Sequence, residues 1–176
     1  MVEPLPRPVI HHEMEQARTE FHRLVRLASA SDLRRATAGT RWTNQQLLFH
    51  MLFGYLIVRA LLPLVRFLGR RPDGVSRVFA AGLNACRKPF HVVNYLGSCG
   101  GALVFRGPRL TRKLDRTIDS LHRALDAEPD AALGRGMHLP VDWDPYFLDV
   151  MTLAEVYHYG TQHFEHHRAQ LTLGAR

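Results

Sequence analysis

The sequence predicts an all-α protein, an antiparallel four-helix bundle with extra helical material between the second and third main helices. Apolar residues recur at helical spacing in four long segments. Helix-start signals stand before several of these segments, and no segment shows the convincing apolar–polar alternation of a strand. With 176 residues and 46% hydrophobic content, the chain suits one domain over residues 1–176 with a sizeable core.

The first two main helices are predicted from their apolar faces and their end signals. The first is expected over His11–Ala30, and Ser31–Arg41 is expected to be a connector. Thr43 offers an N-cap for a long second helix, which Pro63 can kink and which ends in the stretch Gly69–Gly74. The inward face of the first helix consists of Ile10, Met14, Ala17, Phe21, Leu24 and Ala28.

The segment between the second and third main helices gives mixed signals. Val75–Arg87 has a helical pattern, and Pro89 is expected to break it. The glycine-rich stretch Leu96–Gly101 fits either a turn or a loosely packed helix end, so the conformation of residues 88–106 stays open. This stretch is not a phosphate-binding loop, because it lacks the Gly-Lys-Ser/Thr ending.

The C-terminal part of the chain begins with a clear helix start at Pro108, which opens the third main helix. Residues 128–149 carry prolines and aromatic residues, and they predict a long loop that is either a lid over a site or a cap on the core. Thr152 and Glu155 form a capping box that opens the terminal helix.

Composition bears on partners and location. The net charge of +7 and the isoelectric point of about 10.1 raise nucleic acid as a partner class. The basic residues are scattered and accompany no zinc finger or recognition helix, so no nucleic-acid partner is expected. Cys86 and Cys99 form no metal or redox motif and suit free thiols in a reduced compartment. The N-terminus lacks the apolar core of a signal peptide, so a cytoplasmic location is expected.

One apolar run, Leu47–Leu68, is long enough to be considered as a membrane span. Arg59 and Arg66 lie within it on one side of the helix, and each arginine near the middle of a span costs about 2.5–3.5 kcal/mol on an insertion scale. The sequence therefore predicts a buried bundle helix with these arginines facing water, and no stable membrane insertion.

Three histidines carry the strongest functional signal. His163 and His167 stand four residues apart, so their imidazoles share one helix face and can bind one divalent ion. His50 lies opposite the arginine side of the second helix and therefore points inward. A single inward histidine is more often an ordinary core residue, but three, two of them at ligand spacing, favour a metal site with an open position. His158 and His166 point away from the apolar stripe and are expected in solvent.

Two short segments resemble the DinB-like superfamily of metal-binding four-helix bundles. They are Trp42-Thr43 followed by a helix with His50, and the closing pattern His163-x-x-x-His167-x-x-Gln170-Leu171. The resemblance implies that His50, His163 and His167 bind a divalent metal, commonly zinc or nickel. It also implies a low-molecular-weight thiol, such as mycothiol or bacillithiol, as the substrate or cofactor of a transferase or isomerase that acts on a small electrophile.

The resemblance further implies that the open position of the ion binds the thiol and lowers its pKa, so that the thiolate attacks the electrophile. Gly54 and Gly160 lie about one turn from the proposed ligands, where they either leave room for substrate or only permit close helix packing. Tyr159 is a candidate for substrate contact, and the sequence points to no general base.

Two other function classes remain open. One is a metal-dependent hydrolase or lyase that uses metal-bound hydroxide, which requires a carboxylate or histidine base beside the metal. The other is a non-catalytic metal-binding bundle, which a fourth protein ligand or the lack of a cavity would favour. The partners expected for an enzyme are a small thiol and an electrophile. The oligomeric state stays open, with a homodimer among the options.

Overall fold

The computed structural model describes residues 5–174, and its first helix confirms most of the predicted inward face. Helix α1 (Arg7–Leu27) begins before the predicted His11, because a proline in the first turn suits a helix start, where no backbone donor is needed. Residues 1–4, part of the stretch considered above for a signal peptide, lie outside the described residues. The buried side chains of α1 are Ile10, Met14, Ala17, Phe21 and Leu24.

The predicted connector contains a short helix, α2 (Ala30–Arg34), so this part of the prediction is wrong. A capping box between Ser29 and Asp32 opens this helix. The helix has only five residues, which is too short to show an apolar periodicity in the sequence. Helix α3 (Asn44–Leu68) starts after the predicted N-cap. The Thr43 hydroxyl accepts from the Gln46 N–H, and the Gln46 side chain accepts from the Thr43 N–H.

The segment that the sequence left open forms two helices, α4 (Asp73–Ala85) and α5 (Arg87–Val104). The expectation that Pro89 breaks the first of them is wrong. The break precedes Pro89, which lies in the first turn of α5, where proline is tolerated. The glycine-rich stretch is helical, and Gly101 lets the α5 backbone approach the Phe49 ring of α3, which leaves no room for a side chain.

Helix α6 (Pro108–Asp126) begins at the predicted proline. The long loop after it contains a short helix, α7 (Asp130–Leu133), and strand β1 (Gly136–His138), which pairs antiparallel with β2 (Val150–Thr152). The expectation of no strand is therefore wrong, because strands of three residues are too short to show an alternating pattern. The terminal helix α8 (Leu153–Arg168) begins after the predicted capping box.

Helices α1, α3, α6 and α8 form the predicted four-helix bundle. Both α1 and α3 pack against α6 and α8, while α5 lies against α3 and α4 against β1. Among the described residues, α3 is long and apolar enough to cross a membrane by length and composition. However, 56% of its most apolar stretch is buried in the protein, as in the core helix of a soluble bundle. Arg59 is exposed and Arg66 pairs with Glu128, so the predicted polar side is present.

His138 ties the small sheet to α4. Its buried imidazole bonds through Nδ1 to Asp149 (2.8 Å) and through Nε2 to Asp73 (3.0 Å). The hydrogen bond to Asp149 raises the pKa of His138 above 6.5, burial opposes this increase, and Asp73 adds to it. The protonated imidazole therefore links the start of α4 to both ends of the β1–β2 connection.

We expect the contribution of His138 to stability to fall as the pH rises. The folded-state pKa exceeds the unfolded-state value of 6.5, so the contribution is full below that value and is lost as the pH rises through the folded-state pKa. Urea unfolding at about pH 6 and about pH 9 measures this: the free-energy difference between wild-type protein and His138→Gln should shrink at the higher pH. His12→Gln, at an exposed position of α1, is the control. An equal His138→Gln difference at both pH values would contradict the ion pairs.

Candidate metal centre

Helices α3 and α8 bring the three predicted histidines together in the bundle core. His50, His163 and His167 are 4%, 2% and 9% exposed, and one ring nitrogen of each lies within 4.8 Å of the other two. The Nε2 atoms of His50 and His163 are 3.2 Å apart. For comparison, two nitrogen ligands of a tetrahedral zinc ion, each at about 2.0–2.1 Å, are roughly 3.3 Å apart. The three imidazoles could therefore hold one metal ion.

Two glycines allow α3 and α8 to approach this closely. A Cβ at Gly54 would lie within 3 Å of three atoms of the His163 ring, and a Cβ at Gly160 would lie 2.8 Å from two atoms of the Tyr55 ring. The missing side chains thus leave room for His163 against α3 and for Tyr55 against α8. The capping boxes set where both helices begin, and helical periodicity then places these residues on the facing sides.

The second ring nitrogens of two histidines are held as they are in metal ligands. His50 Nδ1 lies 3.0 Å from Ser98 Oγ on α5, and His167 Nδ1 lies 2.7 Å from Gln170 Oε1. With the proton on Nδ1, each Nε2 keeps its lone pair for the centre of the cluster. His163 Nδ1 is buried without a hydrogen-bond partner among the described residues. Among residues 5–174 no further His, Cys, Asp or Glu joins the cluster, so an ion held by these three imidazoles would keep a coordination position for a small ligand.

Burial keeps the three imidazoles neutral. Desolvation lowers the pKa of His50 to about 3 and that of His167 to about 4, and it lowers the pKa of His163 well below its usual value. Repulsion by neighbouring histidines adds to each decrease, and for His167 that neighbour is His166, outside the cluster; the bond to Gln170 opposes the decrease for His167. Neutral imidazole is the form that binds a metal ion.

Trp42 and Asn44 support the histidine cluster, Trp42 by packing against its rings and Asn44 by hydrogen bonds to the segment after α8. The Trp42 ring packs on His50, with centroids 4.3 Å apart, and meets His167 edge-on at 6.2 Å. Fully buried Asn44 donates through Nδ2 to Thr172 Oγ1 (2.9 Å) and accepts through Oδ1 from the Thr172 N–H (3.0 Å). These bonds tie the segment after α8 to the start of α3 and so help to hold His167 near His50.

A cavity of about 210 Å³ lies beside His50 and His163, between α3, the added helices α4 and α5, and the loop between β1 and β2. Most of its wall is apolar, and we call it the apolar cavity. Tyr159 and Asp144 also line it, and the Tyr159 hydroxyl donates to Asp144 Oδ2 (2.9 Å). Burial raises the pKa of Asp144, against the bonds from the Tyr146 N–H and Tyr159, which makes the carboxylate a better proton acceptor.

Comparison with models of known protein families shows to which family this chain belongs. The family model described as DinB superfamily matches residues 13–171. The chain belongs to the DinB superfamily. No curated protein and no solved structure gives a significant match. The resemblance carried by Trp42-Thr43 and the three histidines is thus confirmed, as is the all-α bundle.

In this DinB superfamily protein, the residues predicted to contact substrate lie in two places: one lines the apolar cavity, and two lie at the contact between α3 and α8. Tyr159 lines the apolar cavity. Gly54 and Gly160 face side chains of the opposite helix and do not line the cavity, so a substrate contact by either stays a prediction. His158 and His166 lie outside the cluster, and their ring nitrogens bond to Glu13 and Tyr146, respectively.

Sequence reasoning missed two site residues of this DinB superfamily protein, Ser98 and Asp144. Ser98 lies in the glycine-rich stretch, whose conformation the sequence leaves open. In helix α5 the spacing from Ser98 to buried Ala102 places both on the inward face. Asp144 lies in a loop, where no periodicity shows the direction of a side chain.

A second, more polar hollow of about 230 Å³ lies beside Trp42, and Arg41, His91 and Tyr95 also line it. Asn94 lines both this polar hollow and the apolar cavity. The Asn94 Oδ1 atom is buried without a hydrogen-bond partner among the described residues. An amide oxygen in this position can accept a hydrogen bond from a ligand.

Proposed function

We propose that this protein is a metal-dependent enzyme that uses a low-molecular-weight thiol on a small electrophilic substrate. The proposal is supported by the convergence of three buried, neutral histidines, two of which, His50 and His163, line the apolar cavity. An ion held by the three would keep a coordination position for a small ligand. His50, His163 and His167 would hold one divalent ion, zinc or nickel, because imidazole nitrogen suits both metals.

The chemistry that the ion supplies when bound is Lewis acidity, which lowers the pKa of a thiol at the open position. The three histidines are neutral, so they leave positive charge uncompensated and favour a thiolate as the fourth ligand. Trp42 covers His50 on the side of the polar hollow. Arg41, which lines that hollow, can bind a carboxylate of the thiol through paired hydrogen bonds.

The apolar cavity would hold the electrophile beside His50 and His163, close to the thiolate sulfur, which removes the entropy cost of a bimolecular encounter. The sulfur lone pair would form the carbon–sulfur bond while the bond from that carbon to a leaving group breaks, and the leaving group would depart with the electron pair of that bond. Asp144 can take up or return a proton, and Tyr159 positions its carboxylate. We place the enzyme in the cytoplasm, with a thiol and an electrophile as partners and no nucleic-acid partner.

Thiol binding to metal-loaded protein tests the proposal. Cobalt-substituted protein is titrated with mycothiol, bacillithiol, glutathione and ergothioneine while thiolate–metal charge-transfer absorption is followed. At least one thiol should produce a new band. The band should be absent in His167→Ala and retained in His158→Ala, because His158 lies on the same helix outside the cluster. If no thiol produces a band and none is consumed with a test electrophile, the thiol proposal fails.

Asp144 favours a second candidate, a metal-dependent hydrolase or lyase that activates water. Such chemistry requires a base beside the ion, and Asp144 shares the wall of the apolar cavity with His50 and His163. Metal-dependent hydrolysis of uncharged aryl esters without any thiol, lost in Asp144→Asn at unchanged metal content, would favour this candidate over thiol transfer.

A further inference from the structure

The apolar cavity is large enough to hold an aromatic ring. Its volume is about 210 Å³, whereas an engineered cavity of about 150 Å³ lined by Leu, Ile and Phe binds benzene. An unfilled apolar cavity lowers the stability of a protein, because its walls lose van der Waals contacts. A ligand of one or two fused rings would restore these contacts.

The walls offer a ligand few hydrogen bonds. Apart from the two histidines, the polar side-chain groups on the wall are Asn94, Asp144, the Tyr159 hydroxyl and the Trp143 indole. The indole N–H is already donated to the Leu83 carbonyl (2.9 Å). The apolar part of the wall includes Phe53, Ile57, Leu61, Leu64, Met137 and Phe147.

Charge in the cavity disfavours an ionic ligand. None of the described residues that line it is a lysine or an arginine, although the chain carries 23 of them. In the metal-free protein a carboxylate or phosphate would lose its hydration there without gaining a lysine or arginine partner, and it would lie near Asp144. An ammonium group would also lose its hydration at this largely apolar wall, and among the described lining residues Asp144 is the one carboxylate that could pair with it. The Asp144 oxygens already accept from the Tyr159 hydroxyl and the Tyr146 N–H, which leaves fewer acceptor positions for an ammonium.

The cavity has a chemically distinct region beside the cluster. Tyr159 lies next to His163, with ring centroids 5.6 Å apart, and it holds Asp144 through its hydroxyl. On the wall formed by the added segments, Phe90 of α5 stacks on Trp143 of the β1–β2 loop at 3.9 Å. The polar groups that can act on a substrate are therefore grouped near the histidines, and aromatic surface lines the added segments.

We propose that the apolar cavity binds an uncharged apolar group of the substrate, an aromatic ring or a compact hydrocarbon, with the reacting end toward His50 and His163. The inference rests on the proposed function only for the orientation of the ligand, whose reacting end faces His50 and His163. The size and charge of the wall alone determine the preference for an uncharged group.

Naphthalene and two charged analogues of it test this preference. Binding is followed by NMR of the Met137 methyl group in metal-free and metal-loaded protein, with naphthalene, 2-naphthoate and 1-naphthylmethylammonium as ligands. Naphthalene should bind in both forms. In the metal-free form, where no ion can hold a carboxylate, it should bind roughly tenfold or more tightly than either charged analogue. Failure of naphthalene to bind, or equal binding of a charged analogue to the metal-free form, would overturn the proposal.

Two alanines on exposed helix positions provide a blocking variant and its control. Ala60 of α3 lines the cavity, whereas Ala81 of α4 does not. Ala60→Phe should weaken naphthalene binding by roughly tenfold, because the ring occupies the cavity, and Ala81→Phe should leave it unchanged. Unchanged binding in Ala60→Phe would place the ligand elsewhere and overturn the proposal.

Failure of this inference can be told apart from failure of the proposed function. Naphthalene binding does not require the ion, so His167→Ala should retain it while losing the thiol band. Naphthalene binding without any thiol band would leave the cavity assignment standing and reject thiol chemistry. A thiol band without naphthalene binding would do the reverse.

Discussion

His163→Ala, like His50→Ala and His167→Ala, should yield a folded protein that has lost stoichiometric divalent metal. Each change removes one of three converging ring nitrogens and leaves the ion with two protein ligands. Loss of an outer-shell partner already lowers metal affinity by roughly 10–100-fold, and loss of a direct ligand should lower it further. Elemental analysis of the purified variants, followed by titration against a competing chelator, measures the effect.

Ser98→Ala and His158→Ala complete this series. Ser98 Oγ holds the Nδ1 atom of His50, so its loss should weaken metal binding by an intermediate amount, roughly 10–100-fold. His158 lies on the same helix as two of the ligands but bonds to Glu13, and His158→Ala should keep full metal content. Full metal content in His50→Ala would contradict the site.

Gly54→Ala should lower both the stability of the bundle and its metal affinity. The new Cβ would lie within 3 Å of three His163 ring atoms, and His163 is only 2% exposed, so the ring has little space into which to move. Overpacking of this kind costs about 1–3 kcal/mol. This exceeds the gain of up to about 1 kcal/mol that alanine brings over glycine in a helix. Urea unfolding of the metal-free protein and elemental analysis measure the two effects.

Gly97→Ala is the matched control for this substitution. Gly97 lies within α5, and a Cβ there would meet no atom within 4 Å. Only the helix-propensity gain applies, so the free energy of unfolding should rise by up to about 1 kcal/mol at unchanged metal content. If Gly54→Ala also raised the free energy of unfolding at unchanged metal content, that result would contradict the close contact between α3 and His163.

Short-range signals account for the parts of the site that the sequence predicts. The N-cap predicted at Thr43 and the capping box predicted at Thr152 lie within a few residues of the helix starts that they specify, and both are confirmed. The spacing of His163 and His167 and the inward side of His50 depend only on helical periodicity. The meeting of the three side chains follows because each lies on the buried face of a bundle helix.

Tertiary contacts determine the parts that the sequence could not predict. Proline and glycine are read as helix breakers, yet α5 forms because it packs along α3, with Gly101 against the Phe49 ring. The position of Asp144 depends on the pairing of β1 with β2 and on a hydrogen bond from Tyr159, neither of which leaves a periodic trace in the sequence. The wall of the cavity was therefore beyond sequence reasoning, although the cluster beside it was not.

The separation of the ligands along the chain has a kinetic consequence. His50 and His163 are 113 residues apart, so the site exists only after α8 has docked on α3. The closure entropy of so long a loop must be overcome before an ion can be held, and metal should therefore do little to speed refolding. The stabilisation that the ion provides should instead appear as slower unfolding, because contacts that are absent from the transition state raise the barrier to unfolding. The ion would then bind a bundle that has already folded, and it would affect the lifetime of the folded chain more than the rate at which the chain folds.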